Sequence, residues 1–329
     1  MPDTYFSLAM RDAIAHALRE DPSVFVMGED IDKSVLGPTQ GLVAEFGPTR
    51  VRNTPISEQA VIGAVIGASL TGMRPVMDVM FSSFFYVAMD QIANQAAHIR
   101  YMSGGQVHLP LVLMAGIGPS GQAGSQHSES PHAALMGLSG LKVVVPSTPA
   151  DAKGLMLSAI RDPDPVIYLM DVALAGTKGP VPDGEHVVPL GVAEVKREGR
   201  DVTVVAMGFA AAEALEAADR LGSEGVSVEM IDPRTLVPLD VETIVASVGR
   251  TGRLVIAETG RRTCGFAAEV AALTMEHVWD SLVAPPIRVT WPDVPVPYSP
   301  ALEMACQVDA EDIIDAVRRA LQMSRSVHV

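Results

Sequence analysis

The 329-residue sequence is poor in cysteine, with only Cys264 and Cys306. Two cysteines make neither a disulfide framework nor a metal-ligand cluster, and they point to a reducing, cytoplasmic setting. Positive charge is also scarce: 24 Lys and Arg stand against 39 Asp and Glu, a formal net charge of −15. Such a chain repels nucleic acid and anionic membrane surfaces, so neither is an expected partner. No apolar run is long enough to cross a bilayer. Residues 101–128 lack Asp, Glu, Lys and Arg, yet Pro110, Pro119 and several Gly, Gln and Ser interrupt them. A spanning helix needs about 20 consecutive apolar residues. The N-terminal "MPDTYFSLAMRDAIAHALRED" mixes acids and bases through its apolar positions and does not read as a signal peptide. There is no H-E-x-x-H zinc spacing and no G-x-S-x-G elbow, so metalloenzyme and serine-hydrolase readings lack support.

What is present is apolar sequence in short, regular pieces. Hydrophobic residues make up 48% of the chain, ample for well-buried cores. The length suggests two domains at about 150 residues each. Apolar runs such as "VFVMG", "VMDVMF", "LPLVLMA", "LKVVVP" and "PVIYLM" alternate with helical stretches, among them residues 4–20, with Asp3 or Thr4 as cap, and "YVAMDQIANQAAHIRYM". Continuous apolar runs between helices imply parallel strands covered on both faces. Residues 174–191, rich in Gly and Pro, read as a linker, after which the alternation restarts with "DVTVVAMG", "VSVEMI", "RLVIAE" and "PIRVTW". The expected fold class is α/β, with two doubly wound domains over residues 1–185 and 186–329.

Several residues are candidates for chemistry, each beside a plainer alternative. Glu58, in "RVRNTPISEQA", stands where a strand hands over to the charge-free "VIGAVIGASLTG". A carboxylate there is either a solvated helix start or an acid perturbed by apolar surroundings. His127, in "GSQHSES", has small neighbours and suits a proton carrier, or else an ordinary loop histidine. Met80, Phe81 and Phe84, in "MDVMFSSFF", are core residues or a platform for a flat ring. Glu29 follows a strand at the end where α/β folds place ligands, though it could equally cap a helix. "GIGPSG", Gly116 to Gly121, has the dinucleotide spacing, but Pro119 interrupts it and the next strand ends without an acid. Nicotinamide binding is therefore the remote reading.

Jointly these pieces resemble one family. "GEDI…GLVAEFGPTRVRNTPISEQAVIGAVIGASLTGMRPVMDVMF", "AMDQIANQAAHIRYMSGG", "QHSES", "GLKVVVPSTPADAKGL", "IDPRTLVPLD" and "VPVPYSPALE" run in order along the whole chain. They are similar to the β subunit of the thiamine-diphosphate-dependent decarboxylase/dehydrogenase component of 2-oxo acid and acetoin dehydrogenase complexes. The resemblance is strongest to acetoin dehydrogenase β subunits, with pyruvate dehydrogenase β subunits similar. It implies a transketolase-like pyrimidine-binding domain followed by a transketolase C-terminal-like domain, the second serving assembly and docking.

The resemblance also assigns roles. Glu58 of the "PISE" motif would hydrogen-bond a nitrogen of the aminopyrimidine ring, favouring the tautomer that takes the proton from the thiazolium carbon. Ile56 of the same motif would contact the cofactor. Phe84 would pack on the aminopyrimidine with Met80 beside it, His127 would handle protons, and Glu29 would belong to a relay of water and carboxylates. Diphosphate binding in the family uses a G-D-G motif and a divalent metal, and G-D-G does not occur in these 329 residues. Mg²⁺ ligands are thus expected from a separate α subunit, in an α₂β₂ assembly docked to a lipoyl acyltransferase core. The small-molecule substrate would be acetoin or a 2-oxo acid. A non-oxidative carboligase on the same scaffold, or a non-catalytic assembly subunit, is the alternative. Three positions depart from the family pattern: Ser83 where an acid is frequent, Met114 where arginine is usual, and Glu129 where glutamine is common.

Overall fold

The structure, a computed structural model, describes residues 1–119 and 121–323; Ser120 of the "GIGPSG" loop and residues 324–329 lie outside the described residues. The chain divides into two compact units, Met1–Leu190 and Gly191–Val329. Among the described residues, no helix is long and apolar enough to cross a membrane.

The first unit runs β1 (Asp3–Tyr5), α1 (Phe6–Glu20), β2 (Val24–Gly28), α2 (Leu42–Phe46), β3 (Val51–Asn53), α3 (Glu58–Leu70) and β4 (Arg74–Phe81). It continues through α4 (Ile99–Met102), β5 (Val112–Ile117), α5 (His132–Met136), β6 (Lys142–Val144), α6 (Pro149–Arg161), β7 (Val166–Asp171) and β8 (Lys178–Pro180). Its main sheet has the order β6-β7-β5-β4-β2-β3, and every neighbouring pair in that order is parallel. The apolar runs explain this arrangement. Every residue of β5 and β7 is buried, as strands covered on both faces must be. Helix α1 presents Phe6, Met10, Ile14 and Leu18, spaced four apart, as one buried stripe. It lays that stripe near α6, whose start is fixed by Pro149 in the first turn and by the Thr148 hydroxyl, which accepts the Asp151 N–H at 3.1 Å.

Three local expectations change. Asp3 and Thr4 do not cap α1; they belong to β1, which pairs antiparallel with β8, so part of the expected linker is sheet. The single helix expected over "YVAMDQIANQAAHIRYM" is divided into a tight 3₁₀ segment at Ser82–Ala88, a wide π segment at Asp90–Ala96 and the short α4. Such changes of pitch inside a helical stretch commonly mark a functional site.

The second unit contains β9 (Glu194–Arg197), β10 (Val202–Ala206), α7 (Phe209–Ser223), β11 (Val228–Asp232), β12 (Thr235–Val237), α8 (Val241–Thr251), β13 (Leu254–Arg261), α9 (Phe266–Val278), β14 (Ile287–Trp291), α10 (Pro300–Met304) and α11 (Ala310–Gln322). Its sheet order is β14-β13-β10-β11-β9, with β9 antiparallel to β11 and the rest parallel. The alanines of α7 permit close packing, and their core cluster includes Ile313, Ile314 and Val317 of α11. A reciprocal capping box between Asp309 and Asp312 starts α11.

In the first unit, β2 and β4 approach unusually closely at one point. Gly28, the last residue of β2, is in register with Asp78 of β4. A Cβ at Gly28 would stand 2.4 Å from the Asp78 carbonyl oxygen and 2.9 Å from Ile31 Cδ1. The isoleucine tip can move, whereas the carbonyl of an interior strand cannot. Gly28→Ala should therefore lower the stability of the chain by about 1–3 kcal/mol, read as a lower urea midpoint at unchanged m-value.

Candidate functional site

Because β2, β3, β4 and β5 are parallel, their last residues, Gly28, Asn53, Phe81 and Ile117, come to one edge of the sheet. That is the edge where open α/β sheets bind ligands. Glu29 leaves β2 there, Glu58 opens α3 after β3, and the end of β4 runs from Asp78 to Phe81. The Thr54 N–H donates to the Gly28 carbonyl at 2.9 Å and keeps the β3 exit against β2.

Glu29, Glu58 and Asp78 line one narrow, open cleft, together with Thr54, Pro55, Ser57, Val61, Met77 and Val79. Glu58 is half-buried in the first turn of α3, where the helix dipole favours a carboxylate. The rest of α3 is charge-free because Val61, Ile62, Val65 and Ile66 turn into the core. Asp78 keeps part of its residue surface exposed, but its carboxyl group is crowded by protein. Burial pushes that carboxyl up to about 6, and the hydrogen bond from the Met80 N–H opposes the shift. This bond is 2.9 Å long, to Asp78 Oδ1. Met80 has φ +67°, left-handed for a residue with a side chain, and the pairing of β4 with β5 changes register between Asp78 and Phe81.

A second set of residues lies just beyond this break. The ring of His127 meets Phe81 at 4.9 Å and Phe84 at 5.5 Å between centroids, both edge to face, and the two phenyl rings meet at 5.9 Å. Hydroxyls tie the turn carrying Phe84 to the loop carrying His127. Ser82 donates to the Glu129 carbonyl at 3.0 Å, and Ser83 donates to the Gln126 carbonyl.

The structure thus groups Glu29 with Glu58, and Phe84 with His127, while Met80 stands between the two groups along β4. Ile56 is 74% exposed and does not line the cleft. Met114 is 1% exposed and in register with Asp78. Gly116 belongs to β5 itself, where a Cβ would meet Val172 Cγ2 at 2.8 Å, and the next α-helix among the described residues begins only at His132. "GIGPSG" therefore lacks the strand-turn-helix of a dinucleotide fingerprint. The residue that sequence reasoning passed over is Asp78. Its signal was slight: a lone ionisable side chain inside the apolar "VMDVMF".

Comparison with known proteins assigns this architecture to a class. Residues 4–176 match the transketolase pyrimidine binding domain, and residues 191–313 match the transketolase C-terminal domain. A chain described as a split gene transketolase, inactive beta4 tetramer, superposes with a TM-score of 0.82 at 28% identity, covering 97% of this chain and 99% of that one. Transketolase from Leishmania mexicana gives 0.74 at 17% identity, over 96% of this chain and 45% of that one, and shares the fold.

Nearer relatives narrow the class. The acetoin:2,6-dichlorophenolindophenol oxidoreductase subunit beta of Bacillus subtilis is 43% identical over 309 residues, 90% of each chain. Its namesake in Cupriavidus necator is 42% identical over 327 residues, 96% of each chain. The pyruvate dehydrogenase E1 component subunit beta of Bacillus subtilis is 39% identical over 317 residues, 95% of this chain and 97% of that one. The chain belongs to this family of transketolase-like dehydrogenase β subunits, which is thiamine-diphosphate dependent.

The raised carboxyl of Asp78 has a consequence for stability. A folded-state value above the ordinary 3.8 means that the folded chain holds a proton the unfolded chain releases. Its effect is absent below pH 3.8 and becomes a progressive loss of stability as the pH rises to about 6. Asp78→Asn should remove this loss, gaining up to roughly 2–3 kcal/mol near pH 7 relative to the native chain while matching it near pH 4. Urea unfolding of both proteins across pH 4–7 measures the difference.

Proposed function

We infer that this chain is the pyrimidine-binding half of a shared thiamine diphosphate site, in an enzyme that cleaves acetoin or a pyruvate-like 2-oxo acid and passes the acyl unit to lipoamide. The cleft carries the reading. Three carboxyl groups and apolar walls surround it, and no Lys, Arg or His lines it. Carboxyl groups suit the ring nitrogens and amino group of an aminopyrimidine. They repel a diphosphate, which needs cations or clustered N–H donors. The residues present therefore fit one half of the cofactor, and a second chain must hold the other. Among the described residues, no group of three or more His, Cys, Asp and Glu is placed to bind a metal ion. We assign the Mg²⁺ ligands and the diphosphate to an α subunit, in an α₂β₂ assembly that works with a lipoyl acyltransferase.

When bound, thiamine diphosphate supplies the electron sink for cleaving the carbon–carbon bond beside a carbonyl. This chain's residues do the orienting. Glu58, at the start of α3, would hydrogen-bond the pyrimidine ring nitrogen. Phe84 and Phe81 give an apolar wall, and Met80 lies beside it. His127, held edge-on by both phenyl rings, would exchange protons with the reacting oxygen. Glu29 shares the cleft with Glu58 and extends a carboxylate relay. Ile56, Tyr86 and Val87 are large exposed apolar residues near these groups in the sequence, and the partner chain covers them. The substrate class is carried over from the acetoin and pyruvate enzymes among the relatives.

The test is titration calorimetry with thiamine diphosphate and Mg²⁺, on this chain alone and on its assembly with the α subunit. Tight binding is expected only for the assembly. Glu58→Ala should weaken it and reduce lipoamide-dependent turnover of acetoin or pyruvate by about 10²-fold or more. Tight binding to the isolated chain would refute the shared site, and full activity in Glu58→Ala would refute the role of that carboxyl.

A further inference from the structure

The break in β4 is unusual enough to need a cause. A residue with a Cβ is disfavoured at positive φ, and glycine is the ordinary choice there. Here the position is Met80, at φ +67°. Within the described residues, the Asp78 carboxylate has one hydrogen-bond donor, the Met80 N–H, at 2.9 Å. Its neighbour in register on β5 is Met114, which brings no countercharge. The charged groups sharing its cleft are Glu29 and Glu58, which bring no countercharge either. A carboxylate kept under these conditions does little for the core, and its one bond falls on the one left-handed residue of the strand.

What depends on Met80 is the path of the chain beyond it. After the break Phe81 comes into register with Gly116, and a Cβ at Gly116 would lie 3.3 Å from the Met80 carbonyl oxygen. Gly28 on the other side leaves room for the Asp78 carbonyl. The strand is thus seated between two glycines where it turns. Immediately afterwards Phe81 packs on His127, Ser82 bonds the Glu129 carbonyl, and Phe84 closes on the same imidazole.

We propose that Asp78 is a positioning residue for the thiamine site: its carboxylate holds Met80 in the left-handed conformation, and that break in β4 sets where Phe81, Phe84 and His127 stand. The role rests on the function inferred above, but the geometry it controls exists in the chain alone. Burial of the carboxyl accords with it, since a pin at the base of the cleft must exclude water that would compete for the Met80 N–H.

The experiment separates the two. In the full-length chain without cofactor, hydrogen exchange of the Met80 amide and the His127 Cε1–H proton shift are read by NMR for Asp78→Ala and Asp78→Asn. Asparagine keeps an Oδ1 acceptor and alanine does not. Loss of Met80 protection by ~10-fold or more in Asp78→Ala, with a displaced His127 signal, is expected; both should return toward native values in Asp78→Asn. Should Asp78→Ala fail to fold, Asp78→Ala with Met80→Gly relieves the backbone demand and permits the same reading of His127. The assembled complex should then show kcat/KM reduced by ~10-fold in Asp78→Ala and largely restored in Asp78→Asn. Unchanged Met80 exchange and His127 shift in Asp78→Ala, or an asparagine variant as displaced as the alanine one, would overturn the proposal. If the native complex binds no thiamine diphosphate while the NMR readouts behave as expected, the cofactor reading falls and the positioning of His127 stands.

Discussion

Parallel strands cannot be joined by tight turns, and this constraint decides where the chemistry of the chain falls. Each strand must be followed by a crossover that returns to the far edge before the next begins. The exits of β2, β3, β4 and β5 therefore gather on one side, and the residues at those exits become neighbours although the sequence scatters them. Glu29, Glu58 and Asp78 meet in one cleft for this reason, and His127 reaches Phe84 from the loop after β5. The glycines do the complementary work. Gly28 and Gly116 let adjacent backbones approach where a Cβ would collide, so the carboxyl edge is drawn in tightly enough for the side chains to share a site.

The electrostatics of that edge are one-sided. Three carboxyl groups face a space walled by Val61, Met77 and Val79, and burial makes ionisation of Asp78 costly. A nitrogen heterocycle is a suitable guest and a polyanion is not. The overall acidity of the chain, a net charge of −15, therefore has a local counterpart in the cleft.

The alternation of apolar runs and helices was enough to give the α/β class, because buried parallel strands such as β5 and β7 leave an unbroken apolar record. Glu58 was legible as a charge at the start of a charge-free helix, and His127 as a histidine among small residues. Other features left almost no record. β9 is a polar edge strand that leaves no apolar run, because its side chains are not buried. β8 hides in a Gly- and Pro-rich stretch and exists through its partner β1. The left-handed turn at Met80 has no glycine to announce it, and Asp78 acquires its meaning from Gly28 and Met114, neighbours across the sheet that are distant in sequence. Pattern along a chain reports burial. It does not report which strands lie side by side.

The positions that depart from the family pattern have unequal consequences. At Ser83 the change of residue type supplies a donor that a carboxylate lacks, and at Glu129 the structure uses a group that the change spares. The Ser83 hydroxyl ties its turn to the Gln126 carbonyl, and the tie to Glu129 goes to its backbone carbonyl, which any residue supplies. Met114 is different. It is buried and in register with Asp78, and side chains in register on neighbouring strands project from the same face of the sheet. An arginine there would offer the carboxylate a partner and hold it ionised. A methionine leaves the Met80 N–H as its one donor among the described residues, and burial then dominates, raising the carboxyl to about 6. The apolar Met114 on β5 and the reluctance of Asp78 to ionise are in this view the same physical fact, seen from two strands.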